Sequence, residues 1–171
     1  MPQHSVFSAA QLMEMAVRIE DHGRAFYEVC LSEPIGGKSR ELFLYLLDQE
    51  RRHARLFSRM KEEADGDEPL PESYPGELES YLEAFTAGAV FDDPDRAPQQ
   101  VRELEGPLGV LEAALDFEKK SILFYSGMKT LVRRSDADRV DRVMAEEHDH
   151  VRRLLALRRE IEALERGGDL S

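Results

Sequence analysis

The chain repeats itself. IEDHGRAFYEV, from Ile19, and FEKKSILFYSG, from Phe117, share an apolar residue, a glutamate, five intervening residues and then Phe-Tyr, with Glu20 and Glu118 98 residues apart. ERRHARLF, from Glu50, and EHDHVRRL, from Glu147, each place a histidine three residues after a glutamate, and both Glu50 to Glu147 and His53 to His150 span 97 residues. A chain built this way is two units of one pattern. On an α-helix residues i and i+3 share a face about 5 to 6 Å apart at Cβ, so Glu50 with His53, and Glu147 with His150, can grip a common object. A carboxylate oxygen and an imidazole nitrogen on one face are a metal-ligand pair.

Both motifs lie in long helical runs. Ser8 and Gln11 have capping-box spacing and open a predicted helix over 8–31, with Leu12, Ala16, Ile19, Gly23, Phe26, Tyr27 and Cys30 at helical period. The turn Glu33-Pro34-Ile35-Gly36-Gly37 leads into a second helix over 39–64, antiparallel to the first, marked by Leu42, Tyr45, Leu46, Leu56, Phe57 and Met60. Residues 65–106 carry Pro69, Pro71, Pro75, Pro94 and Pro98 and read as a long crossover with one short helix at 77–90. Pro107 suits the first turn of a third helix running to about Arg134, and Ser135 with Asp138 caps a fourth, over 136–166, that ends at Gly167-Gly168. The expectation is one domain over 1–171, all-α: a ferritin-like four-helix bundle with a long crossover between helices 2 and 3.

At 171 residues the chain can bury roughly 70% of the surface its unfolded form exposes, enough for a full core. A formal charge of −12 argues against nucleic acid or an anionic membrane as the main partner, because both reward clustered Lys and Arg. No apolar run reaches about 18 residues, and MPQHSVFSAAQLMEM lacks the basic start and apolar core of a signal peptide, so a cytoplasmic location is expected. Cys30 is the single cysteine; it can form neither an internal disulfide nor paired CxxC knuckles. Leu12, Met13, Met15 and the apolar residues of 81–91 exceed what one bundle should bury, which points to self-association.

A single Glu-x-x-His arises by chance, and charged helix runs are usually solvated faces. Here Leu46, Leu47, Ala54 and Phe57 surround the first pair and Val143, Met144, Val151 and Leu154 the second, so the charges turn inward or skirt the core. Glu20 and Glu118 each adjoin an apolar residue and precede a tyrosine, Tyr27 or Tyr125, by seven residues, two turns along one face. Four buried carboxylates without cations cost too much, and a pair of dications is the simplest compensation. Four carboxylates and two imidazoles suit iron first and manganese second, whereas a closed zinc site would recruit thiolates. His148 and Asp149 turn away from the ligand face, His22 lies off the Glu20 face, and His4 precedes the first helix. None of these four is assigned a role.

Over nearly its whole length this motif series resembles the rubrerythrin-like branch of the ferritin-like di-iron carboxylate superfamily. The resemblance implies that Glu50 and Glu147 bridge two irons, that Glu20 and Glu118 are terminal carboxylates, and that His53 and His150 each cap one metal. It implies also that Tyr27 and Tyr125 hydrogen-bond to ligand carboxylates, although core packing alone would equally account for both, and that the self-association is a homodimer, since family members commonly form dimers. Two features depart from the family pattern. A full rubrerythrin carries a C-terminal rubredoxin domain with four cysteines, absent from this sequence, so electrons are expected from a separate donor protein. Rubrerythrins also place an additional Glu one turn after the third-helix ligand, where Ser121 stands here, and Gly23 at the matching position of the first repeat does not replace it.

The expected activity is reduction of hydrogen peroxide or dioxygen at the di-iron site, of peroxidase or ferroxidase type and linked to oxidative stress. Two alternatives stand beside it: a bundle that binds or stores iron without turnover, and a di-manganese catalase-type enzyme.

Overall fold

The computed structural model describes residues 8–64 and 97–168. Among them lie five helices and no strand: α1 (Ala9–Ser32), α2 (Gly37–Glu63), α3 (Ala97–Glu103), α4 (Gly106–Lys129) and α5 (Arg134–Gly168). The capping box closes the start of α1, with the Ser8 amide donating to Gln11 Oε1 at 2.8 Å and the Gln11 amide donating to Ser8 Oγ at 3.2 Å. Pro107 sits in the first turn of α4, where the amide it lacks has no helical partner to lose.

Cross-helix contacts fix the topology. Lys61 near the end of α2 pairs with Glu14 near the start of α1, and Arg51 pairs with Glu28 at 2.9 Å, so these two helices run antiparallel. Lys129 with Asp141 at 2.5 Å and Arg158 with Glu112 at 2.6 Å set α4 against α5 in the same way. Lys38 with Glu160, 2.6 Å apart, and Arg139 with Glu63, 2.5 Å apart, join α2 to α5 antiparallel. The ring of four closes where Tyr27 on α1 meets Glu118 on α4, and Glu20 on α1 meets Tyr125 on α4. Helices α2 and α4 therefore stand diagonally and point the same way. The connection between them must travel back along the bundle, roughly 36 Å for a 24-residue helix, which is why this one is long.

The core is aromatic on both sides of mid-height. Tyr27 packs on Phe43 with ring centroids 5.6 Å apart, and Tyr125 stacks on Phe57 at 5.1 Å, all four rings fully buried. Each contributes about 2 kcal/mol by leaving water.

Four details differ from expectation. Helix α4 stops at Lys129 rather than about Arg134: Thr130 caps it, its hydroxyl donating to the Gly127 carbonyl at 2.8 Å, and the chain turns through Leu131 and Val132. The last long helix then starts at Arg134, and the buried Asp136 of its first turn accepts from Arg133 Nε at 3.0 Å, which leaves Ser135 inside the helix instead of at its cap. The end of the crossover is itself helical, since α3 lies within 65–106 and buries Val101 against α1; the short helix placed at 77–90 falls outside the described residues. Leu12 and Met13 are fully buried and Met15 is partly buried, so these three give no surplus apolar surface for a dimer; residues 81–91 lie outside the described residues.

Candidate metal centre

All six expected ligands come from the middle of the four long helices and converge in the core: Glu20 from α1, Glu50 and His53 from α2, Glu118 from α4, Glu147 and His150 from α5. None is more than 2% exposed. Their ligand atoms form two groups, Glu20, Glu50, His53 and Glu147 in one and Glu50, Glu118, Glu147 and His150 in the other, and within each group the atoms lie within 4.8 Å of one another. Glu50 and Glu147 belong to both. The bundle thus offers two adjacent four-ligand pockets sharing a pair of carboxylates.

The ring nitrogens show which atoms face the centre. His53 Nδ1 lies 2.9 Å from Glu147 Oε1 and 3.3 Å from Glu20 Oε2, while its Nε2 lies 2.8 Å from Glu146 Oε2. A carboxylate only accepts, so Nε2 can donate outward to Glu146, and Nδ1, which faces the other candidate ligands, is the nitrogen a metal would take in place of a proton. His150 Nδ1 lies 2.9 Å from Glu147 Oε2 and 3.4 Å from Glu118 Oε2, with the two imidazoles stacked at 5.8 Å.

The two tyrosines cross between the hairpins. Tyr27 on α1 donates to Glu118 Oε1 at 2.5 Å, and Tyr125 on α4 donates to Glu20 Oε1. Burial, then the surrounding glutamates, pushes both phenols well above the ordinary tyrosine range, so they remain protonated donors. Each holds the outer oxygen of a carboxylate and leaves the inner one to the centre.

Whether these residues suit a pair of cations is decided by what they lack. Glu20 Oε2, Glu50 Oε1, His53 Nδ1, Glu118 Oε2 and Glu147 Oε1 are buried and make no well-formed hydrogen bond. Native cores seldom leave such atoms unpaired, and here five of them aim at one volume. Protons make up part of the deficit. Burial, reinforced by its carboxylate neighbours, pushes Glu50 well above the usual carboxylate range, and burial with Glu147 pushes Glu118 up to about 8. Burial alone would depress the imidazoles, but Glu20 and Glu147 raise His53 to about 12, and Glu118 and Glu147 raise His150 to about 10. Glu147 is the exception among the carboxylates: the His150 and His53 ring nitrogens close against it overcome its burial and hold it well below the usual range. The donor set, carboxylate oxygen and imidazole nitrogen without thiolate, fits two hard to intermediate divalent cations.

Comparison with solved structures agrees with this geometry. A crystal structure at 2.30 Å resolution, of a Thermotoga maritima protein assigned as a ferritin-like diiron-carboxylate protein, matches with a TM-score of 0.69 and 29% identity over 92% of this chain and 99% of that one. This chain has a ferritin-like helical bundle fold. Within that fold the buried Glu and His cluster fits a di-iron site. No protein-family model and no curated protein sequence matches the chain. No described helix is long and apolar enough to cross a membrane.

Sequence reasoning missed two residues at this centre. Glu146, half exposed, orients His53 from the neighbouring helix, and the signal was the need of any ligand imidazole for an outer acceptor. Gly23 lies against the Glu50 carboxylate: a Cβ there would meet Glu50 Oε2 at 2.3 Å and Phe117 Cε1 at 2.6 Å. His148 is exposed, whereas Asp149 is partly buried and paired with Arg152 and Arg153; neither enters the cluster.

Proposed function

We propose that this chain is a di-iron carboxylate oxidoreductase of the rubrerythrin-like type that reduces hydrogen peroxide or dioxygen, drawing electrons from a separate donor protein. The observation that carries the reading is the sharing of Glu50 and Glu147 between two buried four-ligand groups. In it Glu20 and His53 would hold one iron, Glu118 and His150 the other, and Glu50 and Glu147 would serve both. Two irons held there would supply the two electrons that reduction of a peroxide or of dioxygen to peroxide draws.

The protein's own part is positional. Tyr27 and Tyr125 pin Glu118 and Glu20 from opposite hairpins, and Glu146 fixes the tautomer of His53. Glu147 is held from both sides by imidazole nitrogens, while Glu50 Oε1 has no donor at all, which leaves Glu50 the carboxylate free to change its binding mode. The Tyr27–Phe43 and Tyr125–Phe57 layers flank the centre along the bundle axis and exclude bulk water from those directions.

Anaerobic titration of metal-free protein with Fe(II), followed by stopped-flow mixing with oxygen and with peroxide, tests this. Two irons per chain, oxidised faster than free Fe(II) and turned over repeatedly with an added reductant, are expected, and the faster oxidant names the substrate. Fewer than one iron per chain, or a single oxidation with no turnover, would contradict it.

A further inference from the structure

The outer face of the α1–α2 hairpin inverts the charge of the molecule. A groove of about 830 Å³ between the two helices is lined by Arg24, Arg51, Arg52, Arg55 and Arg59, with Asp21 as its one acidic residue. This stands on a chain whose formal net charge is −12. Asp21, Glu28 and Asp48 hold Arg24, Arg51 and Arg52 in place with contacts of 3.1, 2.9 and 2.8 Å. Arg55 and Arg59 are exposed and make no hydrogen bond or ion pair among the described residues.

The fold does not require these arginines. The second hairpin carries Ile122, His148, Asp149, Arg152 and Ala156 at the corresponding positions, one arginine in place of five. The repeat that keeps every expected metal ligand in register has diverged here on one side only. The groove is also contiguous with that centre: Asp21, Arg51 and Ala54 directly follow Glu20, Glu50 and His53, so a bound partner lies about one helix thickness, roughly 10 Å, from the ligands.

Resting on the oxidoreductase reading above, we propose that this groove is the docking surface for an acidic one-electron carrier protein. Arg51 to Arg59 extend about 12 Å along α2, longer than one phosphate group needs, and the groove is open rather than enclosed. Asp21, Glu28 and Asp48 offset three of the five charges, and Arg55 and Arg59 remain as the positive charge that a partner meets within a Debye length of about 8 Å. A compact acidic protein can engage Arg55 and Arg59 over this short stretch, whereas a nucleic acid rewards a longer basic track than about 12 Å. Each encounter transfers one electron, the carrier oxidised by one and the di-metal centre reduced by one. Two encounters supply the pair that hydrogen peroxide takes up with two solvent protons to leave as two waters.

The test uses a plant-type [2Fe–2S] ferredoxin as the acidic probe, titrated by calorimetry into the full chain with and without iron. Saturable binding is expected, weakened at least about tenfold between 20 and 300 mM salt and again at least about tenfold in the double variant Arg55→Glu, Arg59→Glu. Arg152→Glu in the other hairpin should change it less than about twofold. Reduction of the iron-loaded double variant by ferredoxin should slow in proportion, while reduction by methyl viologen radical cation keeps its rate. Ferredoxin binding that ignores the double variant overturns the proposal. So does absence of ferredoxin binding alongside pyrophosphate binding, or alongside self-association lost in the same variant. A chain that binds ferredoxin through these arginines but takes up no iron keeps the docking surface and loses the oxidoreductase reading; one that loads two irons and ignores ferredoxin does the reverse.

Discussion

The two hairpins present the same ligands and surround them differently. His53, in the first, hands its outer nitrogen to Glu146, whereas His150, in the second, buries an outer nitrogen with no hydrogen bond beside the edge-on ring of Tyr45. Gly23 in the first makes room for the Glu50 carboxylate; Ser121 at the matching place in the second donates to its own Phe117 carbonyl at 3.1 Å. The repeat is kept where both halves converge on the buried Glu and His cluster and is lost one residue further out. Two metal positions with equal ligands are therefore expected to be unequal in affinity.

The shared carboxylates give the largest effects. Glu50→Gln and Glu147→Gln should each abolish stoichiometric binding of two metals, because each removes a ligand from both groups. Without metal they should part company. Glu147→Gln takes from two imidazolium rings the carboxylate they share and should cost about 3 kcal/mol in urea denaturation, while Glu50→Gln replaces a carboxyl that burial already keeps protonated and should cost close to nothing. Equal losses would show that the two bridges are interchangeable.

The pH dependence of the metal-free protein separates the halves next. Glu118, raised to about 8, keeps its proton between pH 4.5 and 8 in the folded state while the unfolded chain has lost it, so stability falls across that window. His150 and His53, raised to about 10 and about 12, contribute stability that is complete below about 6.5 and lost as pH rises through those values, His150 first. The urea midpoint should decline from pH 5 to pH 10, by more than about 2 kcal/mol in stability, and metal should flatten the curve. A midpoint that rises toward pH 10 would reverse the assignment of charges.

Smaller effects test the flanks. Gly23→Ala should cost about 1 to 3 kcal/mol by forcing Glu50 and Phe117 aside, and Ser121→Ala less than about 1 kcal/mol, since it gives up one local hydrogen bond. Glu146→Gln should weaken one of the two metals by about 10- to 100-fold and spare the other, which a two-step titration with Co(II) would resolve. Equal weakening of both would mean that Glu146 acts on the whole cluster and not through His53.

Much of this was readable before any coordinate. The Glu-x-x-His spacing, its recurrence and the Phe-Tyr pairs picked out the six Glu and His side chains and two tyrosines that converge in the core, because helical period turns residue spacing into shared faces. What escaped were relations across helices. Glu146 looks like any surface carboxylate until α2 brings His53 to it, and Gly23 looks like a weak helix position until Glu50 fills the space beside it. Leu12 and Met13 seemed surplus because the burial available at the end of α1 depends on the neighbours it meets. The end of α4 was misplaced because Thr130 stops the helix through its hydroxyl, a local bond that competes with helical continuation and leaves no mark on hydrophobic period.

The most direct measurement of the central claim is anomalous diffraction at the iron edge from crystals of the Fe(II)-loaded protein. Two peaks about 3.5 to 4 Å apart are expected, one within reach of Glu20 and His53, the other of Glu118 and His150, with Glu50 and Glu147 between them. A single peak, or iron bound only at the acidic surface, would contradict it.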